Sequence, residues 1–187
     1  KMMGAVQDVI KSTMRDRQLV FFSATITKAA EDAARDLAVE PQLVRITRAE
    51  SKSLVEHTYI ICERREKNDY VRRIMHMGDV KAVAFLNDPF RLDEITQKLQ
   101  FRKMKAAALH AEASKQEREA TMRAFRGGKL EILLATDIAA RGIDIDDLTH
   151  VIHLELPDTV DQYIHRSGRT GRMGKEGTVV SLVTQQE

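Results

Sequence analysis

Residues 80–110 read VKAVAFLNDPFRLDEITQKLQFRKMKAAALH. The stretch opens on a nearly continuous apolar run, Val80 to Leu86, which has the length and composition of a strand buried on both faces. A turn at Asn87-Asp88 follows, then a helical segment around Leu92 to Leu99, then a second short apolar run near Ala107 to His110. Strand, helix and strand in this order are a crossover unit. It joins two parallel strands and lays a helix over them.

The same alternation continues on both sides. Upstream lie a strand, Thr58 to Cys62, and a helix with Tyr70, Val71, Ile74 and Met77 on one face. Downstream, Ser114 and Glu117 form a capping-box pattern that opens a helix over Lys115 to Arg126. Strands then follow at Leu130 to Ala135 and Thr149 to Leu154, a helix from about Thr159, and a last strand at Thr178 to Val183. Nearly all-apolar strands alternating with helices predict an α/β fold, a parallel sheet with helices on both faces. Ligands of such sheets gather at the carboxyl ends of the strands.

The first part of the chain has a different texture. Met3, Val6, Ile10 and Met14 fall at helical spacing, and Leu19 to Phe22 reads as a short buried strand. A helix over Lys28 to Ala38, Pro41 and a strand at Leu43 to Thr47 complete it. Arg48 to Val55 is polar and reads as a linker.

Composition narrows the function classes. The 187 residues carry 30 Lys and Arg against 28 Asp and Glu, a net charge of +2. That surplus does not by itself announce a nucleic-acid protein, so any such affinity rests on local placement of basic residues. The single cysteine, Cys62, forms no disulfide within the chain and sits in an apolar run as a small core residue, which fits a reducing compartment. No apolar run approaches the roughly 18 residues of a membrane span, and the start Lys1-Met2-Met3-Gly4 has no signal-peptide core. Membrane partners are not expected, and the expected location is cytoplasmic.

The chemistry concentrates between Tyr163 and Gly174. Arg166, Arg169 and Arg172 stand at i, i+3 and i+6, with Gly168, Gly171 and Gly174 between or beside them. Glycines let a backbone turn sharply and approach a ligand closely. Arginines offer planar charged forks that match phosphate oxygens. The mixture reads as a grip for a polyphosphate. The alternative is a solvated basic loop.

His165-Arg166-Ser167-Gly168-Arg169-Thr170-Gly171-Arg172 resembles the sixth motif of DEAD-box RNA helicases, His-Arg-x-Gly-Arg-x-Gly-Arg. Thr136-Asp137-Ile138-Ala139-Ala140-Arg141-Gly142-Ile143-Asp144 resembles the fifth, and Ala82 to Asp88 the fourth. Leu109-His110-Ala111 with Arg118-Glu119 resembles the region between them, with Ala111 in place of the usual Gly and Lys115 in place of the usual Gln. Ser23-Ala24-Thr25 resembles the third motif. Its other reading is a helix start, with Thr27 nearby.

The resemblance implies a RecA-like domain of the P-loop NTPase type and three segments. Residues 1–47 would be the end of a first RecA-like domain, 48–55 a linker, and 56–187 the second domain. Neither Gly-x-x-x-x-Gly-Lys-Thr nor Asp-Glu-Ala-Asp occurs in the 187 residues. The resemblance therefore implies a C-terminal half that is inactive alone. The ATP phosphates and the Mg²⁺ ligands would belong to the first domain, and no metal site is expected here.

It further implies that Arg169 and Arg172 are arginine fingers at the ATP phosphates and that Asp144 binds the ribose. RNA would meet Arg118, Thr136, Gly142, Asn87 and Lys115 through its backbone. Ser23, Thr25, His165 and Arg166 would couple the two domains. Three residues keep a second reading: Asn87 as the end of a core strand, Arg118 as a solvent-facing helical residue, and His110 as structural rather than catalytic. Asp137 and Arg141 either face the site or pair with each other at i, i+4 and hold the loop. Residues 1–47, cut from their sheet, are expected to be mobile or to associate with another copy. Two other functions fit the same half: an ATP-dependent RNA clamp with little turnover, and a DNA translocase of the same superfamily.

Overall fold

The computed structural model describes residues 2–22, 26–44, 54–141 and 148–187. Ser23, Thr25, Gly142, Asp144 and linker residues 48–53 lie outside the described residues. The chain divides into two compact units, Lys1–Ser51 and Lys52–Glu187.

The first unit contains helices α1 (Met2–Ser12) and α2 (Lys28–Leu37). Thr27 caps α2, its hydroxyl accepting from the Ala30 N–H at 3.2 Å. No residue of α2 is buried. Leu19 to Phe22, expected as a strand, has no regular structure, and Phe22 is 93% exposed. A strand is made by its neighbours, and no described residue of this unit forms one, so the apolar run has nothing to pair with. Leu43 and Val44 are likewise outside any strand, and 45–47 lie outside the described residues.

The second unit is the expected parallel sheet. Its strands are β1 (Val55–Ile61), β2 (Ala82–Phe85), β3 (Ala106–Leu109), β4 (Ile132–Ala135), β5 (His150–His153) and β6 (Gly177–Val183). They lie in the order β1-β6-β5-β2-β4-β3, with every pair parallel. Helices α3 (Lys67–Met75), α4 (Leu92–Phe101), α5 (Lys115–Arg126) and α6 (Val160–Ser167) connect them. The alternating faces of the strands feed two separate cores. Ala82, Ala84, Ile132 and Leu134 pack with Ile74, Leu92 and Leu99 from α3 and α4, and Cys62 joins this core as expected. Val83, Phe85, Leu133 and Ala135 pack with Phe125 of α5 on the other face. Two-sided burial is why these strands read as continuous apolar runs.

β4 and β5 are two residues shorter than their apolar runs and β2 three residues shorter. β1 is longer than expected and begins at Val55, inside the expected linker, because Val55 is in register with Gly177. The capping box at Ser114 and Glu117 forms, and Thr159 with Gln162 makes another at the start of α6.

His153 is fully buried at the end of β5, its Nδ1 3.0 Å from the Ser181 hydroxyl and its ring edge-on to Phe85 and Tyr163. Burial, and secondarily the Arg166 charge, push its pKa down to about 4. The unfolded chain protonates near the ordinary value of about 6.5, so it binds more protons between the two values than the folded chain does. Stability is full above pH 6.5 and falls as the pH drops towards 4. Thermal unfolding of the wild type should show this fall between pH 7 and pH 5. His153→Phe should flatten it, leaving the smaller slope of His150, whose pKa burial also lowers.

Candidate functional site

The carboxyl ends of β2, β4 and β5 are three adjacent positions in the sheet, and the loops leaving them meet at one side chain. Arg166, near the end of α6, is 1% exposed. Its Nε donates to Asp137 Oδ1 at 2.8 Å and its Nη2 to Asp137 Oδ2 at 2.7 Å, a two-pronged ion pair with the loop after β4. Nη2 also donates to Asn87 Oδ1 at 2.6 Å, in the loop after β2, and Nη1 to the Glu155 carbonyl at 2.9 Å, in the loop after β5. The guanidinium carbon lies 5.1 Å from the centre of the Phe85 ring. A buried guanidinium is tolerated when its donors are satisfied and its charge is paired, and both conditions hold here.

This placement adds structural contacts to several expected site residues. Arg166, expected among the domain-coupling residues, makes all four of these hydrogen bonds within the second unit. Asp137 does hold its loop, as one reading had it, but through Arg166 rather than Arg141, because both carboxylate oxygens are taken by the fork. Asn87 is exposed, yet its amide is engaged by the protein: Nδ2 donates to the Leu156 carbonyl at 2.8 Å while Oδ1 accepts from Arg166. Its backbone N–H donates to Glu155 Oε2 at 2.8 Å. Thr136 is buried, its hydroxyl 3.4 Å from the Ala139 N–H inside its own turn. That turn closes tightly because Ala139 and Ala140 are core residues.

Arg118 stands at the start of α5 as expected, but its guanidinium bridges two carbonyls, His110 at 3.0 Å and Ala139 at 2.9 Å. It fastens the end of β3 to the turn after β4. Lys115 is almost fully exposed, 3.9 Å from Glu119. His110 Nε2 lies 3.0 Å from Asp93 Oδ1, the structural role anticipated for it. His165 is exposed on α6.

The loop after α6 carries Arg169 and Arg172, both half-buried. Arg172 Nε donates to the Gly168 carbonyl at 2.9 Å, which fixes the turn. Gly171 has φ +66, and a Cβ there would sit 2.2 Å from Val55 Cγ2. A Cβ at Gly177 would sit 2.4 Å from Thr170 Oγ1. The Thr170 hydroxyl in turn donates to the Leu148 carbonyl. Glycine is thus required at 171 both for backbone conformation and for the close approach of β1. A cavity of about 140 Å³ opens beside this loop, lined by Leu148, Thr149, Arg169, Thr170, Gly171, Arg172, Lys175 and Glu176. It is smaller than the roughly 300 Å³ of a typical ligand pocket. A larger concavity of about 430 Å³ lies on the first unit, lined by Ile26, Lys28, Glu31, Asp32 and Arg35. It contains none of the motifs. Among the described residues, no His, Cys, Asp and Glu cluster could hold a metal, and no helix is long and apolar enough to cross a membrane.

Residues 66–174, from the capping of α3 to the end of the arginine loop, match the family model described as the helicase conserved C-terminal domain. The chain belongs to that family. The chain is 97% identical over all of its 187 residues to the DEAD-box ATP-dependent RNA helicase CshC of Bacillus cereus, covering 48% of that protein. It is 44% identical over 97% of its length to the probable ATP-dependent RNA helicase YfmL of Bacillus subtilis, again covering 48% of the relative. The chain thus spans about half the length of these curated relatives. Among solved structures, Saccharomyces cerevisiae Dbp5 bound to RNA and ADP BeF3 is similar over 95% of this chain and 48% of that one, at 28% identity and a TM-score of 0.80. The RecA-like α/β fold and the DEAD-box membership expected from the motifs are therefore established.

Proposed function

We propose that this chain is the C-terminal half of an ATP-dependent RNA helicase, supplying arginine fingers for ATP hydrolysis and one side of an RNA-backbone groove. The observation that carries the reading is the Arg166 hub, which holds the loops after β2, β4 and β5 as one rigid rim and sets the arginine loop beside it. In this reading residues 1–47 end a first RecA-like domain, 48–55 link the two, and 56–187 form the second. Ser23, Thr25 and His165 couple them. ATP binds between the domains with Mg²⁺ held by the first, and Asp144 takes the ribose.

Arg169 and Arg172 are permanently charged and flank Gly171, where the backbone is left-handed and leaves no room for a side chain beside Val55. Preorganised charge of this kind stabilises the oxygens of a phosphoryl group in transfer. Because the hydroxyl of Thr136 and part of the Arg118 fork are engaged internally, RNA phosphates meet the remaining Arg118 donors, Lys115 and the backbone around Gly142. Such contacts read phosphate and 2′-hydroxyl positions rather than sequence. The protein acts in the cytoplasm. The apolar side chains of residues 1–47 that face solvent, Phe22 and Val39 foremost, make self-association of the isolated chain an expected side effect.

Two measurements on the 187-residue chain test this. Fluorescence anisotropy should detect weak binding to single-stranded RNA that falls with added salt, because bound cations release counterions from the phosphates. The same preparation should hydrolyse no ATP above background. Turnover by the isolated chain, or RNA binding indifferent to salt, would contradict the proposal.

A further inference from the structure

We propose that Phe90 is a base-stacking platform on the rim of the RNA groove, a contact to the bases in a surface otherwise built to hold phosphates. The inference rests on the RNA-groove reading above and adds a residue to it. Phe90 lies in the loop after β2, the central strand of the three whose ends form the rim, and it is 92% exposed. A lone exposed apolar side chain is ordinary. What distinguishes Phe90 is the rigidity with which it is presented.

It sits in a single 3-10 turn, Pro89–Arg91, with proline at the first position. The Asp88 carboxylate accepts from the Phe90 N–H at 2.9 Å. On one side of the turn, Asn87 is tied to Arg166, Leu156 and Glu155. On the other, Arg91 is paired with Glu155. The loop thus loses little freedom on binding, which is the condition under which an exposed ring makes a productive contact.

Charge indicates the occupant. Arg141, after the neighbouring strand β4, is exposed, and the first turn of α5, after the edge strand β3, carries the exposed Lys115 and the half-buried Arg118. Two more apolar side chains stand on the same rim, Ile138 after β4 and Val160 after β5, 66% and 75% exposed. A partner that suits both cations and exposed apolar side chains is a polyanion with flat apolar faces. Single-stranded RNA has that chemistry, and its unpaired bases stack on aromatic rings whatever their sequence.

The test uses the 187-residue chain and short single-stranded RNAs carrying 2-aminopurine at successive positions. Wild type should quench the probe at one position. Phe90→Ala should abolish that quenching and weaken binding by about 5- to 150-fold, the range for losing one base stack, while Phe90→Tyr should restore both. An unchanged melting temperature in Phe90→Ala, expected from the exposure of the side chain, excludes misfolding. If Phe90→Ala binds RNA as tightly as wild type, still salt-dependently and with the same quenching, the platform is refuted while the groove stands, and the ring is left for a protein partner. If wild type binds no RNA, the groove reading fails and the platform with it.

Discussion

Arg169→Ala, introduced into a protein of the relatives' full length that carries this chain, should lower RNA-stimulated ATP hydrolysis by about 10³- to 10⁵-fold, the range for an arginine finger. The effect should fall on turnover at saturating ATP and RNA, because the charge it answers develops on the transferred phosphoryl oxygens only as the reaction proceeds. Arg169→Lys should restore little, since an ammonium on a flexible stem does not reproduce a planar fork. Arg169 is half-buried on a loop whose shape is set by Gly171 and by the Arg172 bond to Gly168, so the variant should melt close to wild type. Phosphate release measured against the variant's melting temperature separates a finger from a structural residue. A variant within tenfold of wild type would make the loop an RNA grip or a scaffold instead.

Arg166→Ala should cause the largest loss of stability of any single change to the site. The substitution removes the partner of Asp137 and the donors that serve Asn87 Oδ1 and the Glu155 carbonyl, and it leaves a cavity beside Phe85. Breaking a buried pair from one side costs about 3–5 kcal/mol. For a unit of this size that corresponds to a fall in Tm of roughly 10–18 °C. Arg166→Lys should recover only part of it, because one ammonium cannot span three loops. Thermal unfolding followed by circular dichroism would read the difference. A shift of a degree or two would mean that the loops keep their positions without the hub. Loss of the hub should also weaken RNA binding, although Arg166 is too buried to touch RNA itself.

The order of strands and helices was legible because each strand is buried on both faces and each helix on one. Capping at Ser114 and Thr159 marked the helix starts for a local reason, the unpaired N–H groups of a first turn. Leu19 to Phe22 was misread because an apolar run is a strand only when a neighbour pairs with it. The register of Val55 with Gly177 was invisible for the same reason, since it is a contact across more than a hundred residues.

At the site, the arginine pattern was legible as a glycine-rich basic turn after a helix, but not the division of labour within it. Arg166, Arg169 and Arg172 look alike in sequence. Only the first ends up under the loops of three strands, and that depends on where α6 crosses the sheet. A faint signal existed: Asn87 and Asp137 both sit just past apolar strand ends, where a single buried cation could serve both. The structural share of Arg118 was not legible. Its position at a helix start suited an anion, and the two carbonyls it ties together come from elements that sequence does not place side by side. The exposure of Phe90 is not encoded in its pattern, because an aromatic residue after Pro reads as turn or core.

The central claim is that these loops belong to an RNA-driven ATPase. The most direct test measures phosphate release by a full-length protein containing this chain, with single-stranded RNA and with DNA of the same sequence as activators. The account predicts stimulation by RNA of about tenfold or more, the factor in rate that about 1.4 kcal/mol of barrier lowering gives, and little by DNA. Equal stimulation by DNA would point to a translocase, and tight RNA binding with almost no phosphate release would point to a clamp. Either result would contradict the helicase reading.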